Sequence, residues 1–128
     1  MNYTKMILLF SHKLSEEQII DAKNAYGVKE FIYLPTNLQQ LWSNFNPELE
    51  KLDLEDFQDF IKRNSTKGDI VLVQGDFGAT FAMVKFALEC DLMPVYATTQ
   101  REVVEVVEDG QTIKKSIFKH RRFRRYGN

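Results

Sequence analysis

The stretch from Gly68 to Glu89, GDIVLVQGDFGATFAMVKFALE, constrains the fold of this chain more than any other. Residues 70–73 form a short apolar run rich in β-branched side chains, which is typical of a strand buried on both faces. Gly75 and Gly78 then interrupt the run. Apolar residues follow at helical spacing, namely Phe77, Phe81, Val84 and Leu88. The stretch therefore predicts a strand, a tight turn and a helix.

The turn between this strand and this helix is a candidate anion site. Glycines let the backbone approach a ligand closely, and the free N–H groups at a helix start attract anions. The stretch has neither the G-x-G-x-x-G nor the G-x-x-x-x-G-K-[ST] pattern, so it lacks the standard nucleotide-binding loops. A tight turn without a ligand is the alternative. The candidate binding residues are Gln74, Gly75, Asp76, Phe77 and Gly78.

Strands and a helix alternate in the first part of the chain. Residues 6–10, MILLF, predict a buried strand. Ser15 followed by Gln18 resembles a capping box that starts a helix, and Gly27 is placed to end it. Residues 28–34, which precede a proline, predict a second strand.

The remaining elements follow the same alternation and end in a hairpin. A short helix is predicted around Trp42, and a longer one is predicted to end near residue 65, with Asp53 as its N-cap. Residues 92–97 predict another strand. Asp109-Gly110 is a strong two-residue hairpin signal between two strand-like segments.

This order of elements indicates the fold class. Alternating strands and helices favour a three-layer, Rossmann-like α/β domain with a mostly parallel sheet, here followed by a C-terminal β-hairpin. The length of 128 residues fits one domain covering residues 1–128.

Polar residues follow the predicted strands at one edge of the sheet. In open α/β sheets ligands bind at the carboxyl ends of parallel strands, so we expect these residues to form one site. They are Ser11 and His12 after the first strand, Gln74 to Asp76 after the central strand, and Thr98, Thr99 and Arg101 after the strand over residues 92–97.

Charge is unevenly distributed. The net charge is −1, yet residues 113–128 contain seven Lys and Arg residues and no acid. In an extended chain His120, Arg122 and Arg124 would share one face. Arginine pairs bidentately with phosphate, so this face predicts a phosphate-bearing ligand. A solvated basic tail or a charged subunit interface is the alternative.

Several chemistries lack support in the sequence. His12 and His120 are the only histidines and Cys90 is the only cysteine, so no zinc pattern is present and we predict no metal and no cofactor. Ser11 is adjacent to His12, which disfavours a Ser-His-Asp triad. Metal-independent phosphodiester cleavage remains, in which a substrate 2′-hydroxyl attacks the phosphorus while arginines stabilise the charge and a histidine moves protons.

The chain contains the blocks LLFSHKL, GDIVLVQGDFGAT, PVYATTQREVVE and DGQTIKKSIFKHRRFRRY. Together they resemble a family of small CRISPR-associated proteins of type III systems. The resemblance covers nearly the whole chain. It implies a ring nuclease with a CARF-like or Rossmann-like fold, which binds cyclic oligoadenylate across a homodimer, cleaves it and so switches off antiviral signalling. Within the matched blocks we take His12, Arg101, His120 and Arg122 as catalytic candidates.

Binding alternatives remain open. The chain could sequester cyclic oligoadenylate without cleaving it, bind linear RNA or DNA through the basic segment, or serve as an accessory subunit; we expect no stable partnership with long nucleic acid. The apolar runs are too short to span a bilayer and no signal peptide is evident, so we expect a cytoplasmic protein without a membrane partner. The other binding candidates are Ser11, Thr98, Thr99 and Arg124.

Overall fold

A computed structural model, which describes residues 3–127, shows a mixed α/β fold built on one five-stranded sheet. The elements in chain order are β1 (Thr4–Leu9), α1 (Glu16–Tyr26), β2 (Val28–Tyr33), α2 (Thr36–Ser43), α3 (Glu55–Asn64), β3 (Ile70–Val73), α4 (Phe77–Glu89), β4 (Met93–Glu108) and β5 (Gln111–Arg125). The strand order is β2-β1-β3-β4-β5. The first four strands pair in parallel, and β5 is antiparallel to β4.

The two central strands are buried on both faces, as their apolar runs predict. Alternate residues of β1 and β3 enter two separate clusters. Ile7 and Val71 pack with α2, α3 and α4, whereas Met6 and Ile70 pack with Ala22 of α1. Full burial of each such aliphatic side chain contributes about 1.5–3 kcal/mol, so these strands anchor the fold.

The helix caps agree with the sequence-based prediction at α1 and differ from it at α3. Ser15 and Gln18 form the complete capping box, and Gly27 takes the left-handed conformation that ends α1, at φ 67°. The prediction of Asp53 as the N-cap of α3 is wrong by one residue, because Leu54 occupies that position. Asp53 Oδ1 instead accepts a hydrogen bond from the backbone N–H of Glu55 at 3.1 Å, so it still orders the approach to the helix.

The hairpin is confirmed, but its strands are much longer than predicted. Asp109 and Gly110 both have positive φ, as a two-residue primed turn requires. The fourth strand does not end at Ala97, because its pairing with β5 continues long after its pairing with β3 has stopped at Val95. Thr98 and Thr99 therefore lie within a strand and not at its carboxyl end.

Residues 99–119 form a two-stranded extension of the sheet, here called the arm. None of them is buried. Ion pairs link its strands, with Lys115 Nζ 2.6 Å from Glu108 Oε1 and Lys119 Nζ 3.5 Å from Glu102 Oε2. The basic segment, for which a solvated tail was the alternative, is the return strand of this hairpin, and Phe123 at its base is fully buried.

Helix α4 packs on the sheet through small residues and one methionine, namely Ala79, Met83 and Ala87. The apolar stripe that predicted the helix lies elsewhere on it. Phe77 is 95% exposed, Phe81 75% and Leu88 53%. Periodicity thus identifies the helix correctly, while three of the four residues that carry the signal face solvent and only Val84 packs against the core. None of the helices between Tyr3 and Gly127 has the length and apolarity to cross a bilayer.

Candidate functional site

The carboxyl ends of β1 and β3 meet at one edge of the sheet, here called the rim. Ser11, Gly75 and Asp76 line a shallow pocket of about 390 Å³ together with residues 42–45. Gln74 N–H donates to the carbonyl oxygen of Leu9 at 3.1 Å, which ties the two strand ends together. The structure therefore brings together the candidates that follow the first and the central strand.

Gln74 and Gly75 are held in place by protein contacts. Trp42 Nε1 donates to the carbonyl oxygen of Gln74 at 2.8 Å, and Gln74 Oε1 accepts from the N–H of Ala97 at 2.6 Å. A Cβ at Gly75 would lie 2.6 Å from Trp42 Nε1, so glycine is needed there for close approach of the indole. The Gln74 side chain thus positions β4 next to β3.

Asp76 caps helix α4, which the sequence did not predict. Its Oδ2 accepts from the N–H of Ala79 at 3.0 Å. The start of α4 therefore carries a carboxylate, and the expectation of a helix start with free N–H groups is wrong in this respect. A carboxylate here satisfies the helix dipole and repels a phosphate at the same spot. Any anion at the rim is held mainly by other groups.

A β-bulge in β5 separates the basic candidates into two groups. Thr98 pairs with Arg122 and Thr99 pairs with His120, so Arg121 is the extra residue of the bulge. The prediction that His120, Arg122 and Arg124 share one face is wrong, because the extra residue reverses the alternation. By this register His120 shares the α1 face with Phe123, while Arg122 and Arg124 share the α4 face.

Two of the catalytic candidates lie on the α1 face, away from Arg122. His120 Nε2 is 2.8 Å from Asp21 Oδ2 of α1, and the imidazole packs against Phe123 with ring centroids 4.8 Å apart. The His120 side chain is only 6% exposed. Arg101 lies on the arm, where its Nε donates to Ser116 Oγ at 3.0 Å.

His12 lies at the opposite end of the rim from Arg122. It is exposed, and its ring contacts Phe10 edge-on with centroids 5.3 Å apart. Strands β3 and β4 separate β1 from β5, which places the two strand ends about 14 Å apart. The two residues therefore do not form one cluster within the chain.

Thr98 fastens the rim end of β4 to β5. Its Oγ1 donates to the carbonyl oxygen of Arg122 at 2.9 Å and lies 3.2 Å from the N–H of the same residue. Both hydroxyl contacts are to backbone next to the bulge. Thr98 therefore fixes the backbone position of Arg122.

A model of the uncharacterized protein MJ1673 family matches residues 4–124. This chain belongs to that family. It is 48% identical over 124 residues to the uncharacterized protein MJ1673 of Methanocaldococcus jannaschii, an alignment that covers 95% of this chain and 96% of the relative. No solved structure matches the chain.

An aromatic pocket of about 370 Å³ is the most distinctive feature of this MJ1673-family chain. It lies between α4 and the end of β5, beside the rim. Its lining residues are Gln74, Gly75, Phe77, Thr80, Tyr96 and Tyr126. Tyr96 and Tyr126 have ring centroids 4.8 Å apart. Trp42 is buried and does not line this pocket, whereas Tyr96 does.

A positive charge lies beside the aromatic pocket, over the ring of Tyr96. The Arg124 guanidinium lies 5.5 Å from the centroid of the Tyr96 ring, and its Nη1 donates to Tyr96 Oη at 3.0 Å. Tyr126 Oη donates to the carbonyl oxygen of Val73 at 2.6 Å. Burial raises the pKa of Tyr126 above its usual 10.0, and the neighbouring phenol of Tyr96 adds to the shift. The Tyr126 phenol is therefore neutral at physiological pH, and the Arg124 cation lies next to the pocket, over Tyr96.

Tyr126 and Thr80 are site residues that sequence reasoning missed. Tyr126 follows the basic run by one residue, and its distance from the central strand in the sequence gives no sign that its hydroxyl reaches Val73. Thr80 lies inside a helical pattern without any local signal. Within residues 3–127 no group of three or more His, Cys, Asp or Glu side chains is arranged to hold a metal ion.

Proposed function

We propose that this protein binds cyclic oligoadenylate at the rim and cleaves it without a metal, as a homodimer, and thereby ends type III CRISPR signalling. The CRISPR role comes from the resemblance of the sequence blocks, and the Rossmann-like, three-layer assignment comes from the order of strands and helices. The observation that carries the binding proposal is the pairing of Arg124 with an aromatic pocket at the carboxyl edge of the sheet.

The pocket has the features that a nucleotide requires. A purine is planar and stacks on aromatic rings, and Tyr96 offers a partly exposed ring at the pocket wall. A phosphate attached to that base pairs with guanidinium groups, which Arg122 and Arg124 supply on the same face of β5. Base and phosphate are thereby recognised by neighbouring side chains.

The reaction needs charge stabilisation and proton transfer. The 2′-oxygen of one nucleotide attacks the adjacent phosphorus, and the bond from phosphorus to the 5′-oxygen breaks, which leaves a 2′,3′-cyclic phosphate. Arg122 and Arg124 stabilise the phosphoryl oxygens in the transition state. We assign proton transfer from the 2′-hydroxyl and to the 5′-oxygen to His12, because its ring is exposed whereas His120 is buried against Phe123.

The proposed roles of these residues require a ligand large enough to span the rim. His12 and the two arginines lie at opposite ends of the rim, so they act on one phosphodiester only if two chains contribute to the site. A cyclic ligand with two-fold symmetry fits a homodimer that places two rims around it. In this arrangement His12 of one chain meets the arginines of the other.

Binding without cleavage is the second candidate function. The separation of His12 from Arg122 within the chain, together with the carboxylate of Asp76 at the rim, favours it. A chain of this kind would lower the free concentration of the cyclic messenger by sequestration alone.

The deciding experiment is incubation of the protein with cyclic tetra- and hexa-adenylate in EDTA, with the products separated by chromatography. We expect linear products ending in a 2′,3′-cyclic phosphate. Intact ring after many equivalents, with one ring bound per two chains, would identify a sequestering protein. If neither ring binds, the proposed function is wrong.

Matched charge variants test the binding site. Arg124→Ala removes a charge-assisted contact worth about 1.5–3 kcal/mol and should weaken binding about 10- to 100-fold. Lys114→Ala removes the same charge from the same strand at the far end of the arm, and we expect ring affinity to stay within about twofold of wild type. Equal affinities in the two variants would contradict the site.

A further inference from the structure

Phe77, Phe81 and Leu88 form an exposed apolar stripe on α4, whereas Val84 is partly buried against the core. The stripe runs the length of α4, on the side away from the residues that contact the sheet. Phe77, Phe81 and Leu88 alone expose roughly 400 Å² of apolar side chain, which is a patch of the size found at functional surfaces. We name it the α4 stripe.

The α4 stripe adjoins a groove at the Leu88 end of the helix. On one side of the helix lie the aromatic pocket and a second cavity of about 610 Å³, and both are lined by Tyr126. The second cavity also includes Leu88, Leu92 and Pro94. This second cavity is the groove beside the Leu88 end of α4, and it leaves the aromatic pocket open to the ligand.

We propose that the α4 stripe is a homodimer interface, in which the helix of each chain packs into the groove beside α4 of the other chain. An isologous contact requires one surface to present both a ridge and a matching groove, and this surface presents both. The stripe has no charged member, as expected at an interface core, where charged residues are depleted and aromatic residues are enriched.

The exposed apolar area of the α4 stripe matches the apolar area that a contact with a second copy of this chain would bury. Two stripes would bury roughly 800 Å² of apolar surface, and a stable interface totals about 1,600 Å² with somewhat more than half of it apolar. The stripe thus supplies most of the apolar part, and the groove walls supply the remainder. A small ligand would cover only the rim end at Phe77 and leave Phe81 and Leu88 in water.

This inference deepens the proposed function, since it names the surface that would join two rims. It rests on that function only for the role of the dimer, because the oligomeric state is measured without ligand. Sedimentation equilibrium of the full chain should show a dimer. A wild-type monomer at tens of micromolar would overturn the proposal, whereas a dimer that binds no ring would leave it standing and remove the proposed function alone.

Phe81→Asp and Val107→Asp are a matched pair of variants for this test. Phe81 is 75% exposed on the stripe, and Val107 is 74% exposed at the far end of the arm. Phe81→Asp should raise the dimer dissociation constant about 30-fold or more, as expected for loss of a central aromatic anchor. Val107→Asp should leave it unchanged. Dissociation by Val107→Asp alone would place the interface on the arm and overturn the proposal.

A folding control keeps the test decisive. Both changes are at exposed sites, so circular dichroism should show wild-type secondary structure. If Phe81→Asp unfolds the chain, Phe81→Ser and Leu88→Ser replace it, and a doubly substituted chain that stays dimeric would contradict the interface. A vesicle flotation assay with neutral and anionic lipid tests whether the stripe binds a bilayer instead; membrane binding by a monomer would overturn the proposal.

Discussion

Trp42 lies so close to Gly75 that a β-carbon on the glycine would come within 2.6 Å of the indole nitrogen. The same nitrogen donates to the carbonyl oxygen of Gln74. The turn that joins β3 to α4 is therefore shaped by the packing of a buried tryptophan. This contact explains the first glycine of the turn without a ligand.

Gly75→Ala should destabilise the fold by about 1–3 kcal/mol, because Trp42 must move and its hydrogen bond weakens. Gly78→Ala is the matched control, since its nearest atom, Asp76 Oδ2, would be 3.4 Å from the new β-carbon. Alanine there should stabilise α4 by up to about 1 kcal/mol. Urea unfolding of both variants checks this, and equal destabilisation would contradict it.

Asp76→Asn keeps a capping side chain at the start of α4 but removes its negative charge. Asparagine caps helices about as well as aspartate, so we expect the free energy of unfolding to change by less than about 0.5 kcal/mol. Loss of the carboxylate should strengthen binding of a cyclic oligoadenylate about 2- to 5-fold, since a like charge leaves the rim. Isothermal titration calorimetry measures the effect. Weaker binding would show that Asp76 contacts the ligand directly.

Tyr126→Phe should lower stability at neutral pH by about 1 kcal/mol, because the hydroxyl loses its hydrogen bond to Val73. The substitution should also change how the free energy of unfolding depends on pH in alkaline solution. Burial raises the pKa of Tyr126 in the folded state, so its contribution is complete below about pH 10 and is lost as pH rises through the folded-state pKa. Above about pH 10, stability should therefore depend less steeply on pH in the variant, and an unchanged slope in urea unfolding would refute this.

Substitution of His120 should lower stability, whereas substitution of His12 should lower cleavage. His120→Ala loses the Asp21 hydrogen bond and the contact with Phe123, and should cost about 2 kcal/mol of stability. His12→Ala should change stability by less than about 0.5 kcal/mol but lower ring cleavage at least about 100-fold, with ring affinity retained. Thermal unfolding and single-turnover cleavage check both variants. Normal cleavage by His12→Ala would remove its proposed role.

Local signals in the sequence were enough to place most elements. The apolar runs of β1 and β3, the capping box of Ser15 with Gln18, and the Asp109-Gly110 turn depend on residues a few positions apart. Such patterns can be recognised in the sequence because backbone hydrogen bonding and side-chain periodicity act over one or two turns or strands. They also placed Ser11 and Gly75 at the same edge of the sheet.

The tertiary structure alone decided which candidates share a surface. One bulged residue, Arg121, moves His120 to the face opposite Arg122, and no local pattern marks it. The small residues on one side of α4 let that helix sit close to the sheet, which leaves Phe81 in solvent. Tyr126 reaches β3 only because β5 returns along β4. Long-range strand register and helix rotation depend on packing between distant segments, so the sequence determined the elements of this protein while packing determined its site.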